Sequence, residues 1–429
     1  MSFLSSQKQL FGNETFRNGF FFTAFSFINK GMNFILLILL AKFITPTEYG
    51  YWSLFGTIVM FMGYFIAMTT QGYILISYFK EGMEGVKKTF SCILLTTIIA
   101  LLLMSVFAFS LQPIFENILG FPWRYLYLAI GISFFTIYSN ICLDFFRIKK
   151  QIRRYGVFSC TSALLILILS IFFVKYMNMG WAGCVFAQFI CVCLFGLIGL
   201  FYFFRMKCVS IPDTTHWKTM LLWGIPLIPH LATNFIQQGC DRYIINFYHN
   251  VEQVGLFSFA YSLSAAIMMI GSGFNEANCV NIFETLGNKN ISAQEKIILL
   301  RTQKKNIFFV YLLSTIIVIV LCYFLVPLFL PQYNSAIGCF FILTIYAFLQ
   351  CIYLLYTNFL FFFKQTKSLM YITFSFAIMH LILSLLLTRY SIYYTCLTYC
   401  ISQLGIVLFV RKIAITTLQK EFKISIGYF

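Results

Sequence analysis

The chain of 429 residues is 60% hydrophobic and 20% aromatic, and only 10% of its residues are charged. Soluble domains carry about 25% charged residues, so this composition excludes a soluble enzyme, a secreted disulfide-linked scaffold and a disordered chain. The net charge of +17 comes from 30 Lys and Arg against 13 Asp and Glu, and its meaning depends on where those residues lie.

Apolar stretches follow one another along the whole chain, each near the ~20 residues that cross a bilayer. Bounded by charged residues, Pro and Gly, they predict twelve spans near residues 17–41, 50–78, 90–111, 123–146, 156–174, 181–204, 219–247, 254–281, 306–330, 335–363, 368–388 and 391–411. The connections between them are short. The sequence therefore predicts an all-α polytopic membrane protein with 12 transmembrane helices.

The positive residues predict the orientation. The two terminal tails and the loops after even-numbered spans hold 24 of the 30 Lys and Arg residues, whereas the opposite loops hold 4. Because cytoplasmic loops collect Lys and Arg, both termini are predicted to be cytoplasmic. This explanation of the charge dismisses nucleic acid as a partner. Two cations, Lys30 and Arg242, remain inside spans.

The two halves of the chain repeat weakly at an offset of 205 residues. Under this offset Gly50 meets Gly255 and Gln71 meets Glu276. Six spans per half is an even number, so both halves are inserted in the same orientation, as in the parallel repeats of some transporters. The sequence predicts two six-helix lobes, residues 1–206 and 207–429.

Lys30 lies near the middle of the first span and shares a helical face with Asn33. A Lys or Arg at mid-span costs ~2.5–3.5 kcal/mol on insertion scales, so it normally faces protein or a water-filled cavity. Two interpretations stay open. Lys30 is either paired with Asp241 or Glu276, or it faces a cavity that holds an anionic ligand.

The seventh span carries the densest set of polar residues, in two adjoining rows at helical spacing: His230, Asn234, Gln237 and Asp241, and Asn234, Gln238 and Arg242. Pro226 and Pro229 interrupt this helix, and such a bend can open a cavity. Here too a structural interpretation competes, because polar stripes often only hydrogen-bond helices to one another, and Asp241 and Arg242 could neutralise each other.

Cysteine and histidine show no pattern typical of a metal or redox site. The 14 cysteines are scattered through apolar stretches, and the 4 histidines are far apart. No metal and no cofactor are therefore expected.

Two segments carry recognisable motifs. The first, at residues 40–53, reads LAKFITPTEYGYWS. The second combines GIPLIP at 224–229, DRYII at 241–245 and VGLFS at 254–258. With the twelve-span layout, these segments resemble the Wzx-type polysaccharide flippases of the multidrug/oligosaccharidyl-lipid/polysaccharide exporter superfamily. Lys42 and Phe257 stand where Arg and Tyr are more usual in that family.

The resemblance implies that the chain moves undecaprenyl-pyrophosphate-linked O-antigen repeat units across the bacterial inner membrane. Its implied partners are this lipid-linked oligosaccharide, membrane lipid, a polysaccharide polymerase and a chain-length regulator. Under this hypothesis the two lobes alternate access to a substrate site, while the prenyl tail stays in the lipid. The candidate substrate-binding residues are Lys30, Arg242, Asn33, Asn234, Gln238 and Gln71. The candidate ion-coupling residues are Asp241, Glu276 and His230.

Two other functions are weighed against this one. A multidrug/cation antiporter of the same superfamily would favour an acidic cavity for cationic drugs. The spans hold two buried cations and two buried acids, and this balance does not decide between the flippase and the antiporter. A membrane-embedded polysaccharide polymerase would need a large outer loop or a catalytic His/Asp/Arg set, and the outer segments are too short. We therefore expect no enzymatic activity.

Overall fold

A computed structural model describes residues 14–117, 120–288 and 290–422, with the side chains of residues 14–23, 26, 117, 229, 230, 234 and 277 left aside. The described chain is helical: α1 Glu14–Ala41, α2 Pro46–Ala67, α3 Tyr73–Ser110, α4 Gln112–Asn117, α5 Tyr125–Ile148, α6 Ile152–Ile171, α7 Gly180–Arg205, α8 Thr214–Gly224, α9 Ile228–Gln238, α10 Cys240–Tyr248, α11 Val251–Gly287, α12 Ala293–Phe329, α13 Ala336–Phe362, α14 Thr366–Leu387 and α15 Ile392–Phe422. No β-strand occurs in these ranges.

Eleven helical stretches of the described chain are long and apolar enough to cross a membrane. They correspond to the second to twelfth predicted spans. The first predicted span corresponds to α1, in which the apolar stretch Phe27–Ala41 is shorter. Helices satisfy their own backbone hydrogen bonds, which hydrocarbon cannot do for them. The predicted all-α polytopic fold is confirmed.

The chain forms two compact units. Unit 1 contains the described residues through Ile44 and Tyr51–Ala232, and unit 2 contains Thr45–Gly50 and the described residues from Thr233 onward. In unit 1, α5 packs along α7 and α1 along α6, while α8 lies against α3. In unit 2, α13 packs between α11 and α15, and α14 covers α15. The predicted lobe boundary between residues 206 and 207 follows from the number of membrane spans in each half and not from contacts between residues. It therefore stays a prediction.

The second predicted span is wrong in its length. The sequence pattern places Gln71 and Tyr78 on one helix with Thr57 and Tyr64, but α2 ends at Ala67 and α3 begins at Tyr73. Met68 and Thr69 adopt positive φ angles of 44° and 54°, which are uncommon for residues other than Gly. Two hydroxyls hold the break: Thr70 donates to the carbonyl of Ala67 (2.7 Å), and Thr69 donates to the carbonyl of Gly224.

The third span also begins earlier than predicted. The helix α3 runs from Tyr73 rather than from residue 90, and its backbone kinks at Gly82, where φ is 64° and ψ is −140°. Glycine adopts this conformation without the steric penalty of a side chain. Charged residues on both sides of Gly82 lower the local hydropathy, so the hydropathy pattern does not show that this stretch belongs to the helix.

The seventh span is interrupted as the prolines predict. It consists of α8, a 3-10 turn at Ile225–Leu227, α9 and α10, with Gly239 between the last two. The break places the polar residues 230–242 on two short helices. Asp213 caps the start of α8 by accepting from the backbone N–H of Thr215 (2.9 Å).

The TPTEYG stretch has a structural explanation within unit 2. The Glu48 carboxylate accepts from the backbone N–H of Thr45 (2.9 Å), and the Thr45 hydroxyl accepts from the backbone N–H of Glu48 (3.3 Å). This reciprocal arrangement is a capping box, and Pro46 occupies the first helical position, where a missing N–H is harmless. Tyr49 is 2% exposed and hydrogen-bonds Ser262 (3.1 Å).

The paired glycines of the repeat make one close contact in unit 2. A Cβ added to Gly255 would lie 1.7 Å from the carbonyl oxygen of Pro46 and 3.0 Å from the backbone N of Gly50. A Cβ added to Gly50 would lie 2.1 Å from the carbonyl oxygen of Val251. Both neighbours are backbone atoms, so a side chain at either position forces the two helix ends apart.

We therefore predict that Gly255→Ala and Gly50→Ala each destabilise the protein, by about 3 kcal/mol at the upper end of the range for overpacking. The measurement is the melting temperature of the purified protein in detergent, with its abundance in membranes. Gly56→Ala is the matched control, since it lies on the same helix as Gly50 and its added Cβ meets nothing within 4 Å. A Gly255→Ala variant as stable as Gly56→Ala would contradict the close contact.

Candidate functional site

Two adjoining cavities lie in unit 1. The first, the Gln71 cavity, has a volume of about 270 Å³, and its polar lining consists of Tyr64, Thr69, Gln71, Ser133, Thr136 and Asn140. The second, the Asn33 cavity, has a volume of about 220 Å³, and its polar lining consists of Asn29, Asn33, Thr136, Ser139, Asn140 and Ser162. Thr136 and Asn140, one helical turn apart near the middle of α5, line both cavities.

A short hydrogen-bond chain fixes one wall of the Asn33 cavity. The Asn29 amide donates to the Ser159 hydroxyl (2.7 Å), and the Asn33 amide donates to the Asn29 carbonyl oxygen (3.0 Å). The first bond ties α1 to α6, and the second lies within α1. The Asn33 side chain is exposed to the cavity with its carbonyl oxygen and second N–H available.

Other polar groups that line the cavities have no hydrogen-bond partner among the described residues. They are the side chains of Tyr64, Gln71, Ser139 and Asn140. An unsatisfied polar group at membrane depth is costly, so polar side chains in spans normally face the interior of the bundle or a water-filled cavity. These groups are therefore placed to bind water or a polar ligand. Of the predicted substrate residues, the structure brings Asn33 and Gln71 to this pair of cavities.

Lys30 is neighbour to both Asn29 and Asn33 on α1, but it lines neither cavity. Its side chain is exposed, and it makes no hydrogen bond or ion pair with a described residue of unit 1.

The polar centre of unit 2 is a closed network around Asp241. Asp241 and His380 are 0% and 1% exposed, and His380 Nε2 lies 2.7 Å from Asp241 Oδ2. The Ser384 hydroxyl donates to the other carboxylate oxygen. The Ser384 hydroxyl also hydrogen-bonds the Thr388 hydroxyl (3.3 Å), and the Thr388 hydroxyl hydrogen-bonds the Thr395 hydroxyl (2.8 Å). The network thus joins three helices, α10, α14 and α15, with the carboxylate bonded directly to α14.

The ring of Tyr399 completes this site. Its centroid lies 4.5 Å from that of His380, and Tyr261 and Tyr346 pack against it at 5.9 Å and 5.0 Å. A buried polar group is tolerated when it is hydrogen-bonded, and the Asp241 carboxylate is hydrogen-bonded to both His380 and Ser384. Asp241 and His380 are therefore a hydrogen-bonded carboxyl–imidazole pair that is enclosed by protein.

Arg242, the next residue along the helix, is held on the adjacent face by other groups. Its Nε donates to the Ser258 hydroxyl (3.2 Å), its Nη1 donates to the carbonyl of Gln238 (2.9 Å), and its guanidinium lies 5.9 Å from the Tyr261 ring centroid. Within the described chain, Asp241 and Arg242 form no ion pair with each other. The side chain of Gln238 is half-buried and makes no hydrogen bond to a described residue.

The remaining candidates are Glu276, His230 and Asn234. Glu276 is exposed on α11 and has no partner among the described residues. The side chains of His230 and Asn234 lie outside the described part of the chain. The roles proposed for all these residues stay predictions.

Sequence reasoning missed the partner of Asp241. His380 and Ser384 lie one helical turn apart on α14, 139 and 143 residues from Asp241 along the chain. The only available signal was a histidine and a serine at i, i+4 spacing inside an otherwise apolar span. Asn140 and Ser139 carried a similarly weak signal.

Several solved structures are similar to this chain in fold. An inward-facing multidrug resistance MATE family transporter of the MOP superfamily matches with a TM-score of 0.73 and 13% identity, covering 91% of this chain and 96% of that one. The lipid II flippase MurJ in an inward closed conformation matches with a TM-score of 0.73 and 14% identity, covering 94% and 90%. An outward-facing MATE transporter matches with a TM-score of 0.60 and 14% identity, covering 97% and 99%. At these identities the likeness shows the fold alone.

No curated protein matches the sequence. A family model described as polysaccharide biosynthesis protein matches residues 15–280, which is more than half of the chain and includes both motif segments, the cavities of unit 1 and Asp241. The chain therefore belongs to the polysaccharide biosynthesis protein family.

Proposed function

We propose that this protein is a flippase that moves undecaprenyl-pyrophosphate-linked O-antigen repeat units from the cytoplasmic to the periplasmic leaflet of the bacterial inner membrane. The observation that carries the proposal is a pair of cavities among membrane-spanning helices, into which Tyr64, Gln71, Ser139 and Asn140 bring polar groups that have no hydrogen-bond partner among the described residues. The chain belongs to the polysaccharide biosynthesis protein family. A lipid-linked oligosaccharide has a polar headgroup that can bind such groups and an apolar tail that does not.

The proposed mechanism is alternating access with both termini in the cytoplasm. Lys30 and Arg242 hold the pyrophosphate, while Asn33, Gln71, Asn234 and Gln238 contact sugar hydroxyls. Lys30 suits this role because it is exposed and makes no bond to a described residue of its own unit. The prenyl tail stays in lipid, because moving it through a polar cavity forfeits its contact with acyl chains.

A multidrug antiporter is the second candidate, and the fold shared with a multidrug transporter favours it. Such a protein needs an acidic group to bind a cationic drug. Among the described residues, neither cavity has an acidic lining residue, and Asp241 is buried against His380. These observations support a lipid-linked oligosaccharide as the substrate.

A drug-efflux assay run beside the polysaccharide assay separates the two functions. An enzymatic role in polymerisation predicts instead that a deletion strain still translocates the lipid-linked unit but does not polymerise it.

We predict that Lys30→Gln lowers transport strongly, whereas Lys30→Arg, which keeps the charge, retains most of it. Removing one hydrogen bond to a charged group costs about 1.5–3 kcal/mol, which corresponds to roughly a ten- to hundredfold weaker interaction with pyrophosphate. The measurement is surface polysaccharide in a complemented deletion strain, normalised to protein abundance, with lipid-linked intermediate counted in the inner leaflet. Equal surface polysaccharide in the Lys30→Gln and wild-type strains would remove Lys30 from the mechanism.

We also propose that transport is coupled to protons through Asp241 and its partner His380, with Glu276 and His230 as the other candidate coupling groups. Protonation of the pair changes the charge inside unit 2, where Tyr261, Tyr346 and Tyr399 surround it and Arg242 lies on the adjacent face. A change of charge in so enclosed a site biases the packing of α10, α14 and α15, which the network joins.

For this pair we predict that Asp241→Asn and His380→Gln each lower the melting temperature, because each leaves a buried polar partner uncompensated, at a cost of up to about 3–5 kcal/mol. The double variant regains most of the loss, since both ionisable groups are then replaced by neutral amides. All three variants lose the acceleration of transport by an imposed proton gradient in proteoliposomes. Persistence of that acceleration in the stable double variant would contradict the coupling role.

A further inference from the structure

The two cavities of unit 1 differ from the polar centre of unit 2 in having no carboxylate, imidazole, amine or guanidinium group in their described lining. The groups that face them are amides, aliphatic hydroxyls, the Tyr64 phenol, the Cys191 thiol and apolar side chains. Lys30 follows Asn29 directly and lies three residues before Asn33, but it does not line either cavity. The cavities are therefore lined mainly by apolar side chains, with uncharged polar groups among them.

The available hydrogen-bonding groups suit a ligand with both donors and acceptors. Asn140 and Gln71 each offer an amide carbonyl and an NH₂ group, and Ser139 and Tyr64 offer hydroxyls. Asn33 adds its free carbonyl oxygen at a position fixed by its bond to Asn29. A ligand without hydrogen bonds would leave these groups unsatisfied, and an ion would find no opposite charge among the described lining residues.

The Asn33 cavity is also lined by the apolar side chains of Leu143, Ile166, Val192 and Phe195. A sugar ring presents hydroxyls at its edge and C–H groups on its faces, so it matches a cavity that offers both amides and apolar carbons. The two cavities have volumes of about 220 and 270 Å³. That size fits one ring per cavity rather than a whole oligosaccharide.

We propose that the Asn33 and Gln71 cavities bind uncharged sugar residues of the lipid-linked oligosaccharide, with Asn140 contacting both, and that they reject sugars that carry a carboxylate. This inference rests on the proposed function and adds a substrate class to it. A carboxylate placed there loses its hydration without gaining a cation, since hydroxyl and amide groups compensate a charge only in part.

The test uses the purified full-length protein in nanodiscs and three probes. They are polyprenyl pyrophosphate carrying one N-acetylhexosamine, the same lipid carrying one hexuronic acid, and the bare lipid pyrophosphate. We expect the wild-type protein to bind the N-acetylhexosamine lipid roughly three- to tenfold more tightly than the other two, which is the value of one net hydrogen bond between uncharged groups.

Asn140→Leu removes the shared amide at nearly constant volume. It should bring the affinity for the N-acetylhexosamine lipid down to that for the bare lipid, without changing the affinity for the bare lipid. Asn33→Leu should act in the same direction, and it replaces Asn140→Leu if that variant does not fold. Gln188→Leu is the matched control, because Gln188 is a half-buried amide in the same unit that lines neither cavity. Asn140→Lys should reverse the order and favour the hexuronic acid lipid.

The outcomes separate the two proposals. Equal wild-type affinity for all three lipids, or an unchanged preference in both Asn140→Leu and Asn33→Leu, overturns the sugar site and leaves the flippase proposal standing. Failure of the wild-type protein to bind any of the three lipids overturns both.

Discussion

Each polar group that a membrane protein carries into the hydrocarbon needs a partner, and the two units of this chain meet that requirement in opposite ways. In unit 2 the buried carboxylate of Asp241 is enclosed by His380 and Ser384, and the hydrogen bonds continue through two threonines. In unit 1 the amides and hydroxyls around Asn140 stay open to cavities. A closed network is suited to storing a charge, and an open one to receiving a ligand.

This difference separates the charged groups from the neutral ones. Asp241 is enclosed by His380 and Ser384, so it could bind a substrate only if these contacts rearranged. Arg242 is also held, by Ser258, the Gln238 carbonyl and the Tyr261 ring. Its use by a ligand would require these contacts to rearrange. Lys30 needs no such rearrangement, which makes it the stronger of the two predicted anion ligands.

The sequence predicted the features that follow from local composition. Hydropathy located the spans, and Pro226 and Pro229 located the break in the seventh, because both signals lie within a few residues. The break after Ala67 was missed because Met68 and Thr69 have no preference for positive φ. It depends on a hydroxyl that reaches Gly224, 155 residues away.

Asp241 was predicted to be functional because a charged residue inside a span is energetically costly, but His380 was not predicted, since no local pattern joins residues 139 apart. Equivalence under the 205-residue offset identified Gly50 and Gly255, yet only the coordinates show that they approach each other.

Because the described lining of the unit 1 cavities carries no charged group, these cavities would favour one orientation of a lipid-linked oligosaccharide. Such a molecule presents an apolar tail, an anionic pyrophosphate and a hydroxyl-rich sugar in fixed order. If the sugar cavities carried cations, the pyrophosphate would compete for them and the substrate would bind in more than one register. Uncharged amides do not offer that competing site, because they compensate a pyrophosphate poorly compared with Lys30. Under the proposed function, the cation on α1, next to Asn29 in the sequence but outside both linings, would let one short helical segment distinguish the phosphate from the sugar next to it.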